Sequence, residues 1–259
     1  MNVGVSTACL YPLETEKALK LLCQSGVKNI EIFVNSVSEI SGSVLTEIKK
    51  IIKDFDCRIT SIHPYTSGSE PIMFFSNYQR RFLDGVEQYL RFCDFANELD
   101  ANILVFHGDR KESNTPNEFY FERYLKLYRE ALKTGVYVCQ ENVCRCRSRS
   151  PEFLKVMSST LKDEVRFVFD LKQARRSDTP YSEYLDAMQN KIMHLHLSDF
   201  DEKSDCTLPN QNGKFDFAAF LKDFKDSDIT SVIEVYREAF KEPCEIGRSL
   251  EFLKNTLQI

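Results

Sequence analysis

The chain has 259 residues, of which 42% are hydrophobic and 28% are charged, and its formal net charge is −5. This length suits one α/β barrel of about 250 residues, and the composition is that of an ordinary globular protein. The acidic balance argues against general attraction to nucleic acid, and no apolar run approaches the roughly 20 residues of a membrane span.

A short β-rich run, a turn and a segment with helical spacing alternate eight times along the chain. The predicted strands begin near residues 3, 29, 58, 102, 136, 166, 191 and 231. The predicted helices cover residues 13–24, 38–55, 77–99, 118–133, 151–161, 181–188, 217–224 and 246–257. This alternation indicates βαβ units and a parallel sheet, and eight units predict a single closed (β/α)8 TIM barrel, one domain over residues 1–259.

A doubly wound open sheet is the alternative architecture. It normally has a glycine-rich phosphate turn after its first strand, and the sequence VSTACLYP at that place has none. The longest irregular stretches are residues 64–76, 108–117 and 200–213, and each follows a predicted strand. In a barrel these loops meet at the face where active sites lie.

The compartment is predicted from the N-terminus and the cysteines. The opening sequence MNVGVSTACLYP has neither a basic region nor a long apolar stretch, so we expect no secretory signal. Nine scattered cysteines favour reduced thiols over a disulfide framework, and the CxC of Cys144 and Cys146 is a weak pattern for zinc. We therefore expect a cytoplasmic protein.

Two histidines share one face of the predicted seventh strand, KIMHLHLSD. Under the period of two, His194 and His196 point the same way, and the strand is too apolar to face solvent. A pair of hydrogen-bonded core histidines is the simpler alternative. The other two histidines, His63 and His107, also lie near strand ends.

Carboxylates end three further predicted strands. Glu141, Asp170 and Glu234 follow the apolar runs of strands five, six and eight, and buried carboxylates need partners. Each of these carboxylates, considered alone, could instead be a helix N-cap or a partner in a salt bridge. Together with His196 they predict a site for one divalent ion, Mn²⁺, Mg²⁺, Co²⁺ or Zn²⁺, because three carboxylates and an imidazole suit a hard or borderline metal.

An ordered set of short segments resembles a known family. The chain looks like the xylose-isomerase-like barrel superfamily, the sugar phosphate isomerase/epimerase group that also contains DNA-repair enzymes of the endonuclease IV type. The segments are IEIF, SIHPY, LVFHGD, QENV, FVFDLKQA, HLHLSD, LPNQNGKFDF and VIEVY.

The resemblance implies roles for residues at matching positions. In the ketose epimerases of this group, the residues that match Glu141, Asp170, His196 and Glu234 bind one divalent metal. The two glutamates also act as acid and base on opposite sides of the sugar, while the metal stabilises the enediolate oxygens. His63 and His107 match pocket residues of the sugar enzymes, and in the repair endonucleases the matching histidines bind additional zinc.

Departures from the family pattern separate its branches. Gln173 stands where both branches often carry a histidine, and Thr207 replaces a second zinc-binding histidine of the repair enzymes. Lys172 is the candidate to compensate, because it lies two residues from Asp170 on the same strand parity and its ammonium can stabilise an enediolate or hold an anionic group. An exposed lysine on a loop is the alternative. Arg145 belongs to a basic rim that is either solvated or a clamp for an anionic sugar derivative.

We therefore expect a metal-dependent sugar isomerase or epimerase. Its catalytic residues would be Glu141, Glu234 and Lys172, and its substrate-binding residues would be His63, His107, Gln173 and Arg145. The alternatives are an endonuclease IV-like hydrolase acting on abasic DNA and a barrel that binds a ligand without turning it over. We expect a small carbohydrate as substrate and neither nucleic acid nor membrane as partner, and a homo-oligomer is left open.

Overall fold

The computed structural model describes residues 1–258, and its eight strands form a closed barrel in the order β1 to β8. The strands are β1 (Asn2–Ser6), β2 (Asn29–Val34), β3 (Arg58–Pro64), β4 (Ile103–Phe106), β5 (Tyr137–Glu141), β6 (Arg166–Asp170), β7 (Ile192–Leu197) and β8 (Thr230–Ile233). Each begins within one residue of its predicted start. The predicted α/β barrel is confirmed, and the open-sheet alternative is wrong.

Helices follow the strands: each of the eight predicted segments overlaps one helix, and two further helices are additions. The helices are α1 (Thr15–Gln24), α2 (Gly42–Phe55), α3 (Glu70–Phe74), α4 (Gln79–Glu98), α5 (Asn117–Leu132), α6 (Pro151–Leu161), α7 (Leu171–Arg176), α8 (Tyr181–Met188), α9 (Phe217–Leu221) and α10 (Cys244–Leu257). The short helices α3 and α7 were not predicted, because five or six residues are too few to display a helical period.

The chain divides into two compact units. The first contains Met1–Thr60 and the chain from His194 onward, and the second contains Ser61–Met193. In the first unit β1 pairs with β2 and β8, and β7 pairs with β8. A Cβ atom on Gly4 in β1 would lie 2.1 Å from the carbonyl oxygen of Asn29, so only glycine fits there. The prediction of one domain stays a prediction.

The second unit is built around β4. This strand pairs with β3 and β5, and β5 pairs with β6, all in parallel. The hydroxyl of Tyr124 on α5 donates a hydrogen bond to the Val138 carbonyl (2.6 Å), which ties that helix to the strand it precedes. The strand side chains pack together in a small apolar cluster of Ile103, Val105, Cys139 and Val168.

The structure describes the state of the cysteines and the apolar character of the helices. All nine cysteines lie within the described residues, and all are free thiols. Between residues 1 and 258 no helix combines the length and the apolar character needed to cross a membrane.

Candidate functional site

In the second unit, Glu141 and Asp170 are the last residues of neighbouring strands β5 and β6. Both side chains are buried. The side chain of Asn142 spans the two strand ends: its Nδ2 donates to the Asp170 carbonyl (3.0 Å), and the Asp170 amide donates to its Oδ1 (2.7 Å). The backbones that carry the two predicted metal ligands are thus joined beyond the last regular strand pair.

Asp170 is also the N-cap of α7. Its Oδ1 accepts a hydrogen bond from the Gln173 amide (2.9 Å), and its Oδ2 lies 3.4 Å from Nζ of Lys172. Lys172 is only 4% exposed, so the alternative of an exposed loop lysine is wrong. The prediction placed Lys172 beside Asp170 by extending the strand pattern, whereas the chain turns into a helix at Leu171. The two side chains meet because Asp170, as the N-cap, and Lys172, as the second helical residue, lie in the same helical turn.

Two histidines at the ends of β3 and β4 contact each other and Glu141. Nε2 of His63 lies 2.8 Å from Nε2 of His107, and the two rings stack. Nε2 of His107 also lies 3.5 Å from Oε2 of Glu141. All three residues are buried, and their ligand atoms are close enough together to hold a metal ion.

A buried carboxylate lies behind His107. The Oε1 atom of Glu70, on α3, is 2.9 Å from Nδ1 of His107 and accepts hydrogen bonds from the hydroxyls of Tyr89 (2.6 Å) and Thr66 (3.1 Å). Its Oε2 accepts from the amides of His107 (2.9 Å) and Gly108 (2.6 Å). Burial alone would raise the pKa of Glu70, but the charge and hydrogen bond of His107, with Tyr89 and Gly108, keep that pKa below its ordinary value.

The remaining predicted residues of this unit have structural contacts. Oε1 of Gln173 accepts a hydrogen bond from the Cys144 amide (3.1 Å), which joins α7 to the loop after β5. Arg145 is exposed and donates to the Ser67 hydroxyl (2.7 Å), in the loop after β3. Arg147 is a different case, because its guanidinium binds Thr115 and Asn117 and stacks on aromatic rings. Arg145 is therefore freer than Arg147 to meet a ligand.

In the first unit, His194 and His196 point the same way, as their alternation in β7 predicts. Their Nε2 atoms lie 3.3 and 3.1 Å from one oxygen, Oε2 of Glu31 on β2. Nδ1 of His194 is 2.7 Å from the Thr230 hydroxyl, so this histidine is held on both sides. Nδ1 of His196 lies 3.6 Å from Oε2 of Glu234, which follows β8 directly. His196 and Glu234 are therefore neighbours.

Asp199 organises the long loop after β7. Its Oδ1 accepts hydrogen bonds from the amides of Phe200 (2.7 Å), Lys214 (3.1 Å) and Phe215 (3.0 Å). Burial raises the pKa of this carboxyl above its ordinary value even though backbone amides oppose that rise. A Cβ atom on Gly213 would lie 1.6 Å from Oδ2 of Asp199, so a glycine is required where the loop returns.

Sequence patterns missed three polar residues that these contacts involve. Glu31 lies inside the apolar strand NIEIFV, and its flanking isoleucines were a signal that it is buried. Asn142 follows Glu141 directly, but its bridging role depends on a neighbouring strand. Glu70 lies in a stretch predicted as a polar loop, and nothing in SGSEPI distinguishes it from a surface residue.

The fold agrees with comparisons to known proteins. Residues 19–256 match the model of a family described as xylose isomerase-like TIM barrel. No curated protein is significantly similar to the chain in sequence.

Solved structures with the same fold include several sugar epimerases. A D-tagatose 3-epimerase-like protein is 21% identical, with a TM-score of 0.79, 100% of this chain covered and 97% of that one. The D-allulose 3-epimerase of Methylomonas sp. is 14% identical, with a TM-score of 0.78, 99% of this chain covered and 97% of that one. The 3-keto-D-glucoside 4-epimerase of E. coli is 16% identical, with a TM-score of 0.74, 98% of this chain covered and 99% of that one. At these identities the likeness shows the fold alone.

Proposed function

From the premise that the chain belongs to the xylose isomerase-like TIM barrel family, we propose that it is a metal-dependent isomerase or epimerase. Its substrate class is a small sugar, sugar phosphate or polyol derivative with a carbonyl group. The epimerases among its structural neighbours support this class, since they include a D-allulose 3-epimerase and a 3-keto-D-glucoside 4-epimerase.

One observation carries the proposal: four consecutive strands each end in a buried potential metal ligand. Glu141 ends β5, Asp170 ends β6, His196 is the penultimate residue of β7, and Glu234 follows β8. Each is at most 7% exposed. In a parallel barrel the carboxyl ends of all strands meet at one face, where active sites are built.

The donor set fits one divalent ion. Three carboxylates and one imidazole suit Mn²⁺, Mg²⁺, Co²⁺ or Zn²⁺, and carboxylates buried this deeply require a cation or hydrogen-bond donors. A bound ion would supply electrostatic stabilisation of the negative charge that develops on the substrate oxygens.

The residues of the chain would move the proton. One of Glu141 and Glu234 removes a proton from the carbon beside the carbonyl, and the other returns a proton to the enediolate that results. Lys172, beside Asp170, adds a fixed positive charge near the developing negative charge. His63, His107, Gln173 and Arg145 are the proposed substrate-binding residues.

Solvent isotope exchange tests the proposal. The protein loaded with metal is incubated in deuterated water with ketoses, sugar phosphates and inososes, and the recovered compounds are examined by mass spectrometry and NMR. We expect deuterium at the carbon beside the carbonyl for at least one compound, and none with the double variant Glu141→Gln with Glu234→Gln, which lacks both proposed bases. No incorporation across a broad panel, with metal bound, would favour a barrel that binds a ligand without turnover.

A second candidate is a hydrolase of the endonuclease IV type acting on abasic DNA. The observation that favours it is the group of His63, His107 and Glu141, whose ligand atoms can hold an ion of their own. Against it stand Gln173 and Thr207, which replace two histidines of the repair enzymes, and the net charge of −5. Cleavage of a duplex with one abasic site, dependent on His107, would favour this candidate.

A further inference from the structure

A cleft of about 630 Å³ lies in the second unit, between the first residue of α5 and the first two turns of α6. We propose that this cleft binds the phosphate group of a small phosphate monoester, which Arg149 and Asn117 hold close to the charge of Arg147. Among residues 1–258, none of the proposed catalytic, metal-binding or substrate-binding residues lines the cleft. Binding there therefore does not rest on the proposed function.

Two arginines with neutral hydrogen-bond partners line the cleft. Arg147 and Arg149 are both half-buried. The guanidinium of Arg147 donates hydrogen bonds to the carbonyl of Thr115 and to Oδ1 of Asn117. That of Arg149 makes a long hydrogen bond to the carbonyl of Ser177, at 3.5 Å. Within the described chain these acceptors are all neutral, so neither guanidinium has a carboxylate partner to compensate its charge.

Two carboxylates also line the cleft, and both are exposed to solvent. Nζ of Lys111 lies 3.6 Å from Oε1 of Glu112, so the charges of this pair cancel. Water and salt screen the charge of the exposed Glu152 more than those of the half-buried arginines. Three cations and two carboxylates leave the lining with a formal charge of +1. The cleft therefore favours an anion, although the chain as a whole has a net charge of −5.

Polar groups of the lining are available as hydrogen-bond donors. A guanidinium can only donate, so the atom of Asn117 that meets Arg147 is its oxygen, and its Nδ2 group is left as a donor with no acceptor among residues 1–258. Oγ of Ser150 accepts a hydrogen bond from the amide of Phe153 (3.2 Å), which leaves the hydroxyl hydrogen for another acceptor. The oxygens of a phosphate dianion only accept, and a planar guanidinium matches two of them. The lining thus offers the donors that a phosphate group requires.

The two loops that carry these groups are joined to each other. Arg110 and Cys146 form an antiparallel bridge between the loops after β4 and β5, and the amide of Arg147 donates to the carbonyl of Asp109 (2.9 Å). The guanidinium of Arg147 also lies over the ring of Phe153, 4.9 Å from its centroid. The charge and the donors are therefore held in place before a ligand arrives, which lowers the entropic cost of binding.

The rest of the lining suits the organic part of a phosphate monoester. The cleft is far larger than a phosphate ion, and Phe153 and Val156, three residues apart on α6, add apolar surface to it. A free phosphate ion would leave this surface in contact with water, whereas a sugar phosphate has a carbon skeleton to cover it. D-fructose 6-phosphate is therefore a suitable probe, and D-fructose is its neutral counterpart.

Isothermal titration calorimetry of the metal-loaded protein with these two compounds tests the site. We expect fructose 6-phosphate to bind, and Arg149→Gln to raise its Kd about 10–100-fold, the usual effect of losing a hydrogen bond to a charged group. Lys155→Gln removes the same charge from an exposed position of α6 outside the lining, and should leave the Kd unchanged. No binding at millimolar concentrations, an equal Kd for wild type and Arg149→Gln, or an equal Kd for fructose and its phosphate would overturn the proposal.

Asn117→Asp tests the site without weakening the fold. The new carboxylate would pair with Arg147, and a negative charge in the first turn of α5 is favourable, so we expect a urea midpoint at or above that of wild type. The same change removes the Nδ2 donor and compensates the charge of Arg147. Fructose 6-phosphate should therefore bind about tenfold more weakly or worse. Wild-type binding by this variant would overturn the proposal.

The phosphate group can belong to the substrate of the proposed function or to a separate ligand. If it belongs to the substrate, Arg149→Gln should raise KM for a phosphorylated substrate and leave KM for an unphosphorylated one unchanged. If it belongs to a separate ligand, the variant should lose affinity for fructose 6-phosphate while KM for the substrate found by isotope exchange stays that of wild type. If isotope exchange finds no substrate, the proposed function fails, and the titrations still decide whether the cleft binds a phosphate monoester.

Discussion

Nζ of Lys172 lies 3.4 Å from Oδ2 of Asp170, and both side chains are buried. An ammonium in this position has lost most of its hydration, so its charge acts strongly on nearby groups. Under the proposed function, this charge would offset the excess of negative charge among the proposed metal ligands and stabilise an anionic intermediate.

Replacement of this lysine should affect turnover much more than metal content. We expect Lys172→Met to lower kcat on the order of a hundredfold, the typical effect of losing one preorganised electrostatic contact. Lys155→Met, at an exposed lysine of the same unit, should have wild-type kcat. The measurements are steady-state rates with the substrate found by isotope exchange, and metal analysis of each protein. Wild-type turnover in Lys172→Met would contradict a catalytic role.

Metal binding should depend on the strand-end glutamates. The double variant Glu141→Gln with Glu234→Gln removes two anionic ligands but keeps the size of the side chains, so we expect it to lose stoichiometric metal. Elemental analysis of protein purified without a histidine tag, followed by titration with Mn²⁺ and Zn²⁺, measures this. Glu152→Gln, at an exposed position, is the control. Full metal occupancy in the double variant would show that the ligands lie elsewhere.

Two glycine substitutions should change stability in opposite directions. A Cβ atom at position 213 collides with Asp199, whose Oδ1 is held by three backbone amides, so Gly213→Ala should lower the free energy of unfolding by about 1–3 kcal/mol. Gly247 lies within α10 with no atom close to a new Cβ, so Gly247→Ala should raise it by up to about 1 kcal/mol. Urea unfolding measures the free energy of unfolding of both variants. An unchanged free energy in Gly213→Ala would mean that the loop can move aside.

Acid should destabilise the protein in part through Glu70. Its pKa in the folded protein is below the ordinary value of 4.5, so its stabilising contribution is complete above pH 4.5 and is lost as the pH falls through the folded pKa. We expect the unfolding free energy of Glu70→Gln to be lower at pH 7 and to decline less between pH 5 and 3. Urea unfolding across that range tests this, and parallel pH curves for the two proteins would contradict it.

Mild oxidation should join one pair of cysteines. The Sγ atoms of Cys23 and Cys57 are 3.4 Å apart, and the hydrogen bond between them lowers the pKa of Cys57 and raises that of Cys23. The Cys57 thiolate should therefore add to diamide. Attack by the Cys23 thiol on the sulfur of that adduct should then release the reduced hydrazine and leave a disulfide between Cys23 and Cys57. Intact mass should fall by two hydrogen atoms in wild type but not in Cys23→Ser. Labelling of both thiols after diamide would contradict the prediction.

The barrel was predictable because its signals are local. Strands of four to seven residues rich in Val, Ile and Phe alternate with helical segments. The strand period predicts His194 and His196 on one face, and both contact Glu31 from that face. Carboxylates at the ends of apolar runs were likewise visible as candidate ligands. Their assembly into one site stays a prediction.

What could not be predicted depends on partners distant in sequence. Glu70 is buried because Tyr89 and His107, 19 and 37 residues away, satisfy its oxygens, and no local pattern contains that information. The position of Lys172 was inferred from strand alternation, which no longer applies once Asp170 caps a helix. Both cases involve ionisable side chains whose burial is compensated by the folded structure rather than by their neighbours in the chain.

The side chain of Asn142 acts as a surrogate peptide group. Its amide offers one donor and one acceptor to the backbone of Asp170, as a further rung of the ladder between β5 and β6 would. Aspartate has the same shape but lacks the donor, and glutamine is one methylene too long, so asparagine alone completes the rung. Glu141 and Asp170 consequently project from a single rigid ribbon, and any adjustment to ions of different radius must come from side-chain torsions rather than from movement of the strands.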